Sequence, residues 1–157
     1  MVKPLRILTI DSKKDEEILR TPSEDVSLEE LKTEEFLSFL DNLLETAKLS
    51  EEPAGGIAAS QVGVNKNVFF LLNYDSNEWE VFINPTVEPV DFAKTSVEES
   101  CLSVPNVEEK IQRYKNIRIK YLDKDGKKCS KKYSDLNAIT IQHEKDHLDG
   151  ILFIDRI

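Results

Sequence analysis

Two stretches in the middle of the chain alternate or run continuously in apolar residues and predict paired strands. Residues 68–72 are a continuous apolar run, residues 79–83 alternate, and Asp75-Ser76-Asn77 supplies turn residues between them. Residues 117–122 alternate again, and they lead through an Asp-Gly turn into residues 128–133. The pattern predicts two antiparallel hairpins.

Helices are predicted before these strands. A helix is predicted over 36–49 because apolar positions recur there at helical spacing. Residues 11–35 are highly charged and contain Thr21-Pro22-Ser23, so a short helix around 14–19 followed by a loop is expected. The segment that begins at Ser27 matches a capping box. After the first hairpin, Asn84-Pro85 is expected to end the strand pair, and a further short strand is expected at 86–90.

A last helix is predicted after the second hairpin, with Asp135 as its N-cap and Gly150 as its stop. Its apolar residues fall on both sides, so this helix is expected to be buried. The chain is therefore expected to have an α+β fold, with antiparallel sheets packed around a buried C-terminal helix and with N-terminal helices. Residues 1–157 are expected to form a single domain.

The last helix carries the sequence His143-Glu144-Lys145-Asp146-His147, and these two histidines are the only ones in the chain. Positions four apart lie one turn above each other on a helix, so both imidazoles can bind one metal ion. Glu144 lies close enough to exchange a proton with a water molecule on that ion. The motif predicts a metal-dependent hydrolase.

A catalytic metal needs a third protein ligand and one open position. Some metallopeptidases place a third histidine six residues after the second, but Phe153 stands there, and no glutamate follows His147. The ligand is therefore expected upstream, and a cysteine suits it best. Cys101 lies in a partly polar, strand-like segment and is the better candidate, whereas Cys129, flanked by lysines, is expected at the surface.

Composition limits the partners and the compartment. The chain of 157 residues has a net charge of −9 and a pI near 4.8, which argues against direct binding to nucleic acid or to an anionic membrane. No apolar run approaches membrane-spanning length, and the N-terminus lacks the features of a secretory signal. Reduced cysteines and a cytoplasmic location are therefore expected.

Three motifs together resemble those of the peptide deformylases. The family has a G-φ-G-φ-A-A-x-Q loop, an E-G-C-L-S segment and an H-E-x-D-H helix, where φ is a hydrophobic residue. The corresponding stretches here are Ala54-Gly55-Gly56-Ile57-Ala58-Ala59-Ser60-Gln61, Glu99-Ser100-Cys101-Leu102-Ser103 and His143-Glu144-Lys145-Asp146-His147. The resemblance covers nearly the whole chain.

Two of these stretches depart from the family pattern, at three positions in all. In the loop, Ala54 replaces the first glycine and Gly55 replaces a hydrophobic residue; before the cysteine, Ser100 replaces a glycine. These stretches flank the substrate in the family, so the changes bear on the backbone pairing and on the shape of the pocket. Gly55 is expected to make that wall roomier and more mobile.

The resemblance implies a reaction and a set of site residues. The enzyme would remove the formyl group from formyl-methionyl peptides and release formate. Cys101, His143 and His147 would bind one divalent ion, with Fe(II) as the physiological metal and Zn(II) or Ni(II) as alternatives. Glu144 would transfer the proton, and the developing charge on the formyl oxygen would be stabilised by the Gln61 amide and the Leu102 backbone N–H.

The substrate implied by the resemblance is an extended nascent peptide, so a transient contact with the ribosome is an accompanying expectation. The peptide would lie along backbone at Gly55, Gly56, Ile57 and Ser100. Its methionine side chain would enter a pocket. The pocket residues would be Val97, Glu99, Leu136, Ile139, Thr140 and His143. The helical members of this set share one face at 100° per residue, which supports the assignment independently.

Two other functions remain open from the residues. A metallopeptidase of the H-E-x-x-H type would cleave an internal peptide bond instead of releasing formate. A binding module stabilised by a closed metal site would need a fourth protein ligand, for which Cys129 is the soft candidate.

Overall fold

The computed structural model describes residues 2–50 and 55–157 and confirms the α+β class. The helices are α1 Lys13–Leu19, α2 Leu28–Leu31, α3 Glu34–Lys48 and α4 Asp135–Leu148, and short 3₁₀ turns cover Ala59–Val62 and Phe153–Arg156. The strands are β1 Gly56–Ala58, β2 Val68–Leu72, β3 Trp79–Pro89, β4 Lys94–Cys101, β5 Val104–Tyr114, β6 Asn116–Leu122 and β7 Lys128–Ser134. Within the described ranges, no helix combines the length and apolar character needed to cross a bilayer.

The strands form two antiparallel sheets. Five of them pair in the order β1-β2-β3-β6-β7, and β4 and β5 form a separate two-stranded hairpin. The sequence predicted a strand-like segment only around Cys101 and missed the rest of this long hairpin. Along β4, exposed positions alternate with half-buried ones, and the one buried residue, Glu99, is charged. The two sheets meet at α4, which contacts both.

The continuous apolar run of β2 is explained by burial on both faces of the sheet. Val68 and Phe70 pack in one core cluster together with the apolar face of α3. Phe69 and Leu71 point to the other face and pack in a second cluster with residues of α4. A strand covered on both sides needs no polar alternation. The helix that covers one of these faces, α4, is itself buried, as predicted.

Three local predictions were wrong. Asn84-Pro85 does not end a strand: β3 continues to Pro89 through a register shift between Ile83 and Thr86, and Asn84 adopts φ +51°. The Asn84 side chain instead bridges the backbone of Val26, accepting from its N–H and donating to its carbonyl, both at 2.8 Å.

The second correction concerns the start of α4, where Ser134 is the N-cap and Asp135 is already the first helical residue. Third, Cys129 is half-buried in β7 and packs at the edge of the second core cluster, since Tyr121 lies opposite it across the β6–β7 pair. The Ser27 cap is confirmed, because its hydroxyl accepts from the Glu30 N–H at 3.1 Å. The predicted stop at Gly150 is also confirmed.

Gly150 gives a stability test with a matched control. Gly150 and Gly126 both have positive φ, +76° and +80°, so alanine strains the backbone equally at either site. A Cβ at Gly150 would also lie 2.8 Å from the Arg20 carbonyl carbon, whereas at Gly126 it would meet only the flexible ends of Leu31 and Leu28. We expect Gly150→Ala to lower the free energy of unfolding by about 3 kcal/mol or more and Gly126→Ala by about 1 kcal/mol. Equal losses in urea denaturation would contradict this account.

Candidate active site

Cys101, His143 and His147 come together between the β4–β5 hairpin and α4. One ligand atom of each lies within 4.8 Å of the others, and they form the one such cluster of three metal-ligating side chains found in the described part of the chain. Cys101 ends β4, and its Sγ is 3.3 Å from His147 Nε2. The histidines lie one turn apart on α4. One sulfur and two nitrogens form a donor set suited to Zn(II) or Fe(II).

Glu144 lies next to this cluster and is almost fully buried. Its Oε1 has no hydrogen-bond partner within residues 2–50 and 55–157. Burial raises the pKa of the Glu144 carboxyl to about 7, against the lowering effect of His143 and Arg113. A buried carboxyl with a free oxygen and a pKa near neutrality is suited to accept and return a proton.

Gly56 leaves the space that Glu144 occupies. A Cβ at this position would lie 2.9 Å from the Glu144 side chain and 2.8 Å from the carbonyl oxygen of Phe70 on β2, the residue before its cross-strand partner Leu71. The second contact is with backbone and cannot be relieved by a rotamer change. The glycine of the loop motif is therefore required by the close approach of β1 to α4.

Gln61 follows β1 in a 3₁₀ turn, and its side-chain amide has a fixed orientation. Its Oε1 accepts from the Ala58 N–H at 3.0 Å, so the NH₂ group must point the other way. That group donates to Ser103 Oγ at 3.1 Å and lies 3.7 Å from Cys101 Sγ. The donor end of the amide is thus held beside the candidate metal ligands.

A buried network of charges supports His143 from behind. His143 Nδ1 is 2.8 Å from Glu99 Oε1, so Nδ1 donates its hydrogen to this carboxylate and Nε2 is the ring nitrogen available to a metal ion. Arg113 donates to both oxygens of Glu99, at 2.8 and 2.9 Å, and to Asp146 at 2.8 Å. Arg156 adds two further hydrogen bonds to Asp146, at 2.6 and 2.7 Å.

The pKa of Glu99 reflects two opposing effects, burial and the positive partners of its carboxylate. Burial would raise that pKa, but the hydrogen bonds and charges of Arg113 and His143 hold it below the ordinary value. Glu99 is therefore an anion that is already bound on both oxygens. It lines the cavity as the sequence predicted, but its carboxylate is used to position His143. Arg113 was missed in the sequence, since its partners lie 14 and 33 residues away.

An open cavity of about 180 Å³ leads to this cluster. Its walls contain most of the predicted residues, namely Gly55, Gly56, Gln61, Val97, Glu99, Ser100, Cys101, Leu102, Leu136, Ile139, Thr140, His143 and Glu144. Tyr74 and Glu98 also line it and were not predicted. Ile57 does not: its side chain is fully buried in the core cluster with α3, so only its backbone in β1 is near the site.

Two strand edges border the cavity. β1 is the end strand of the five-stranded sheet, and β4 pairs only with β5 among the described strands. Leu102 lies in the turn that joins β4 to β5. Ala54 lies outside the described residues. Edges of this kind can pair with an extended peptide.

The cysteine sulfur, the two imidazoles and the adjacent buried carboxyl define a class of protein, the metal-dependent hydrolases. A sequence model of the family described as polypeptide deformylase matches residues 4–157. The chain is 38% identical to the peptide deformylase of Fusobacterium nucleatum over 142 residues, or 90% of this chain and 79% of that protein. It is 36% identical to the peptide deformylase of Pseudothermotoga lettingae over 157 residues, or 100% and 84%.

Solved structures agree with these matches. A class I type b peptide deformylase from Acinetobacter baumannii, with Met-Ala-Ser bound, superposes with a TM-score of 0.89 at 29% identity, covering 100% of both chains. The peptide deformylase from Thermotoga maritima gives 0.86 at 30% identity, covering 98% of this chain and 97% of the other. The chain therefore belongs to the peptide deformylase family, whose members are metal-dependent hydrolases. It removes the N-formyl group from the formyl-methionine of newly made polypeptides.

The buried network predicts a large difference between two arginines, each of which binds two carboxylates. Arg113→Gln leaves Glu99 buried without its arginine and removes one of the two arginines bound to Asp146, so we expect a loss of about 3–5 kcal/mol in the free energy of unfolding. Arg20 binds Glu16 and Asp155 at the surface, and Arg20→Gln should cost less than about 1 kcal/mol. Chemical denaturation of both variants measures this, and similar losses would count against the role of burial.

Proposed function

We propose that Cys101, His143 and His147 hold the catalytic metal ion of this deformylase. The single observation that carries the proposal is the convergence of these three side chains, from two distant segments, to within 4.8 Å. The fit of a metal is supported by the donor set and by the partnerless oxygen of buried Glu144 beside it. When bound, the ion supplies positive charge that lowers the pKa of a water molecule and polarises a carbonyl oxygen.

Glu144 is proposed as the general base and then the general acid. Its free Oε1 accepts a proton from the attacking water and returns it to the amine nitrogen of the peptide as formate leaves. The absence of a side chain at Gly56 lets this carboxyl sit against β1, and the buried surroundings limit competing water molecules. The pKa near 7 suits a group that takes up and releases a proton in one turnover.

Gln61 and Leu102 are proposed to stabilise charge on the formyl oxygen. The Gln61 NH₂ group is fixed by the bond from Ala58 N–H to its Oε1, which supports its role as a preorganised donor. The backbone N–H of Leu102, in the turn after Cys101, is proposed as the second donor. One donor of this kind typically contributes about 3 kcal/mol to stabilisation of the transition state.

The substrate is proposed to lie in extended form between the edges of β1 and β4. Gly55, Gly56, Ile57 and Ser100 would offer backbone groups to it, as strand edges do to peptides. Its first side chain would enter the cavity. The proposed pocket residues are Val97, Glu99, Leu136, Ile139, Thr140 and His143.

Fe(II) is proposed as the physiological ion, with Zn(II) and Ni(II) as ions that the same donors accept. A cytoplasmic location and a transient contact with the ribosome are proposed as well, because the substrates are newly made chains. The thiol of half-buried Cys129 donates a hydrogen bond to the Lys127 carbonyl at 3.5 Å, which supports an open site with three protein ligands over one closed by this cysteine. Formate release by protein loaded anaerobically with each ion in turn ranks the three metals.

The two cysteines provide a matched test of the metal site. Cys101→Ser should lower both the bound metal, measured by elemental analysis, and formate release from formyl-Met-Ala-Ser, because the thiolate ligand is gone. Cys129→Ser should leave both within about twofold of wild type, since its sulfur only packs in β7. Metal loss in the Cys129 variant with retention in the Cys101 variant would reverse the ligand assignment.

Glu144→Ala should separate metal binding from catalysis. We expect metal content to remain and formate release to fall by at least about 100-fold, because the proton-transfer group is removed. The matched control is Glu98→Ala. Glu98 lines the same cavity, but it lies on β4 and not on the helix that carries the two histidines. It should keep formate release within about tenfold of wild type. Full activity of the Glu144 variant would exclude the proposed role.

A further inference from the structure

Tyr74 lies at the cavity although no sequence motif contains it. It follows β2 in the turn to β3, and it lines the cavity together with Gly55, Leu136 and Thr140. Its side chain remains half exposed, with 54% of the residue accessible, so core packing does not explain its position. A large aromatic residue at the mouth of a substrate cavity is a candidate contact for the ligand.

The position of Tyr74 relates directly to the missing side chain at Gly55. A Cβ built on Gly55 would lie 3.2 Å from the Tyr74 hydroxyl oxygen, and 3.7 and 3.8 Å from Thr140 Cγ2 and Oγ1. The space that a hydrophobic residue at position 55 would enter is therefore already closed by Tyr74 and Thr140. This corrects the expectation of a roomier wall, because the wall is completed from another segment.

Asn137 holds the turn of Tyr74 in place. Asn137 is buried on α4, its Oδ1 accepts from the Tyr74 N–H at 2.8 Å, and its Nδ2 donates to Asn73 Oδ1 at 3.1 Å and Asp75 Oδ2 at 3.3 Å. Three successive residues of the turn are thus tied to the helix that carries His143. A contact surface held in this way loses little freedom when a ligand binds.

We propose that Tyr74 is a specificity-determining residue, whose ring forms the outer wall of the pocket for the first side chain of the formyl peptide. The inference rests on the substrate position proposed above. The flexible side chain of methionine can place its thioether sulfur against an aromatic ring, and contacts between sulfur and aromatic rings are favourable. A bulky first residue, such as phenylalanine, would collide with the ring where it closes the wall over Gly55.

Tyr74→Ala tests this inference in steady-state formate release. For formyl-Met-Ala-Ser we expect KM to rise about 5–10-fold while kcat changes by less than about twofold. The preference for formyl-Met-Ala-Ser over formyl-Phe-Ala-Ser, as a ratio of kcat/KM, should fall by a similar factor. Tyr74→Phe retains the ring and should keep both KM and the substrate preference within about twofold of wild type. Phe92→Ala removes an aromatic residue that is 94% exposed and lies outside the cavity, and should change neither.

Gly55→Val approaches the same contact from the other side. It should lower kcat/KM, because the new side chain meets the Tyr74 hydroxyl, and Gly55→Val/Tyr74→Ala should be less impaired than Gly55→Val. If thermal denaturation shows that Tyr74→Ala does not fold, Gly55→Val/Tyr74→Phe is compared with Gly55→Val instead. Phenylalanine lacks the hydroxyl oxygen, which is the Tyr74 atom nearest to a Cβ at position 55. Unchanged KM and substrate preference in Tyr74→Ala, or equal effects of Gly55→Val with and without Tyr74, would overturn the proposal.

Affinity for the product peptide Met-Ala-Ser, measured by calorimetry, separates this inference from the catalytic assignments. Binding requires no turnover, so the weakening expected in Tyr74→Ala, about 5–10-fold, is seen even in a protein with no formate release. One outcome is that the wild-type protein releases no formate while Tyr74→Ala still weakens peptide binding by the expected factor. That result would count against the catalytic roles and leave the proposal for Tyr74 supported. Unchanged binding would count against Tyr74.

Discussion

The bidentate pair between Arg113 and Glu99 is the interaction on which the site depends. It lies within the β4–β5 hairpin, but its outer contacts reach α4 through His143 on one side and Asp146 on the other. The hairpin brings the sulfur and α4 brings the imidazoles. Because a buried arginine must be satisfied by carboxylates on both elements, the same bonds that place the hairpin also fix the orientation of a candidate ligand.

Close approach of backbone is the second constraint. Gly56 lets β1 pass against Glu144 with no room for a Cβ, and β1 is hydrogen-bonded to β2, whose two faces are buried by α3 and α4. The Glu144 carboxyl, the proposed general base, is thus enclosed by an edge strand whose position is set by the main core. Stability of the core and burial of the carboxyl, and so its raised pKa, follow from the same packing.

Local patterns in the sequence predicted the parts of the fold that depend on local physics. The helical periodicity of α3, the alternation of β6 and the two histidines of α4 were all sufficient signals. Arg113 could not be found in this way, since its role depends on partners on two other elements. The strand through Asn84 was missed for a similar reason: its left-handed φ is supported by hydrogen bonds to Val26, 58 residues away.

The loop at Gly55 shows why motif positions alone do not define a pocket. The family pattern has a hydrophobic side chain there, and its loss in this chain would suggest a wider cavity. The wall is instead closed by Tyr74, which reaches the same space from the β2–β3 turn and is held by Asn137 of α4. A change at one position can thus be offset by a residue 19 positions along the chain, so the shape of the pocket is a property of the packed elements together.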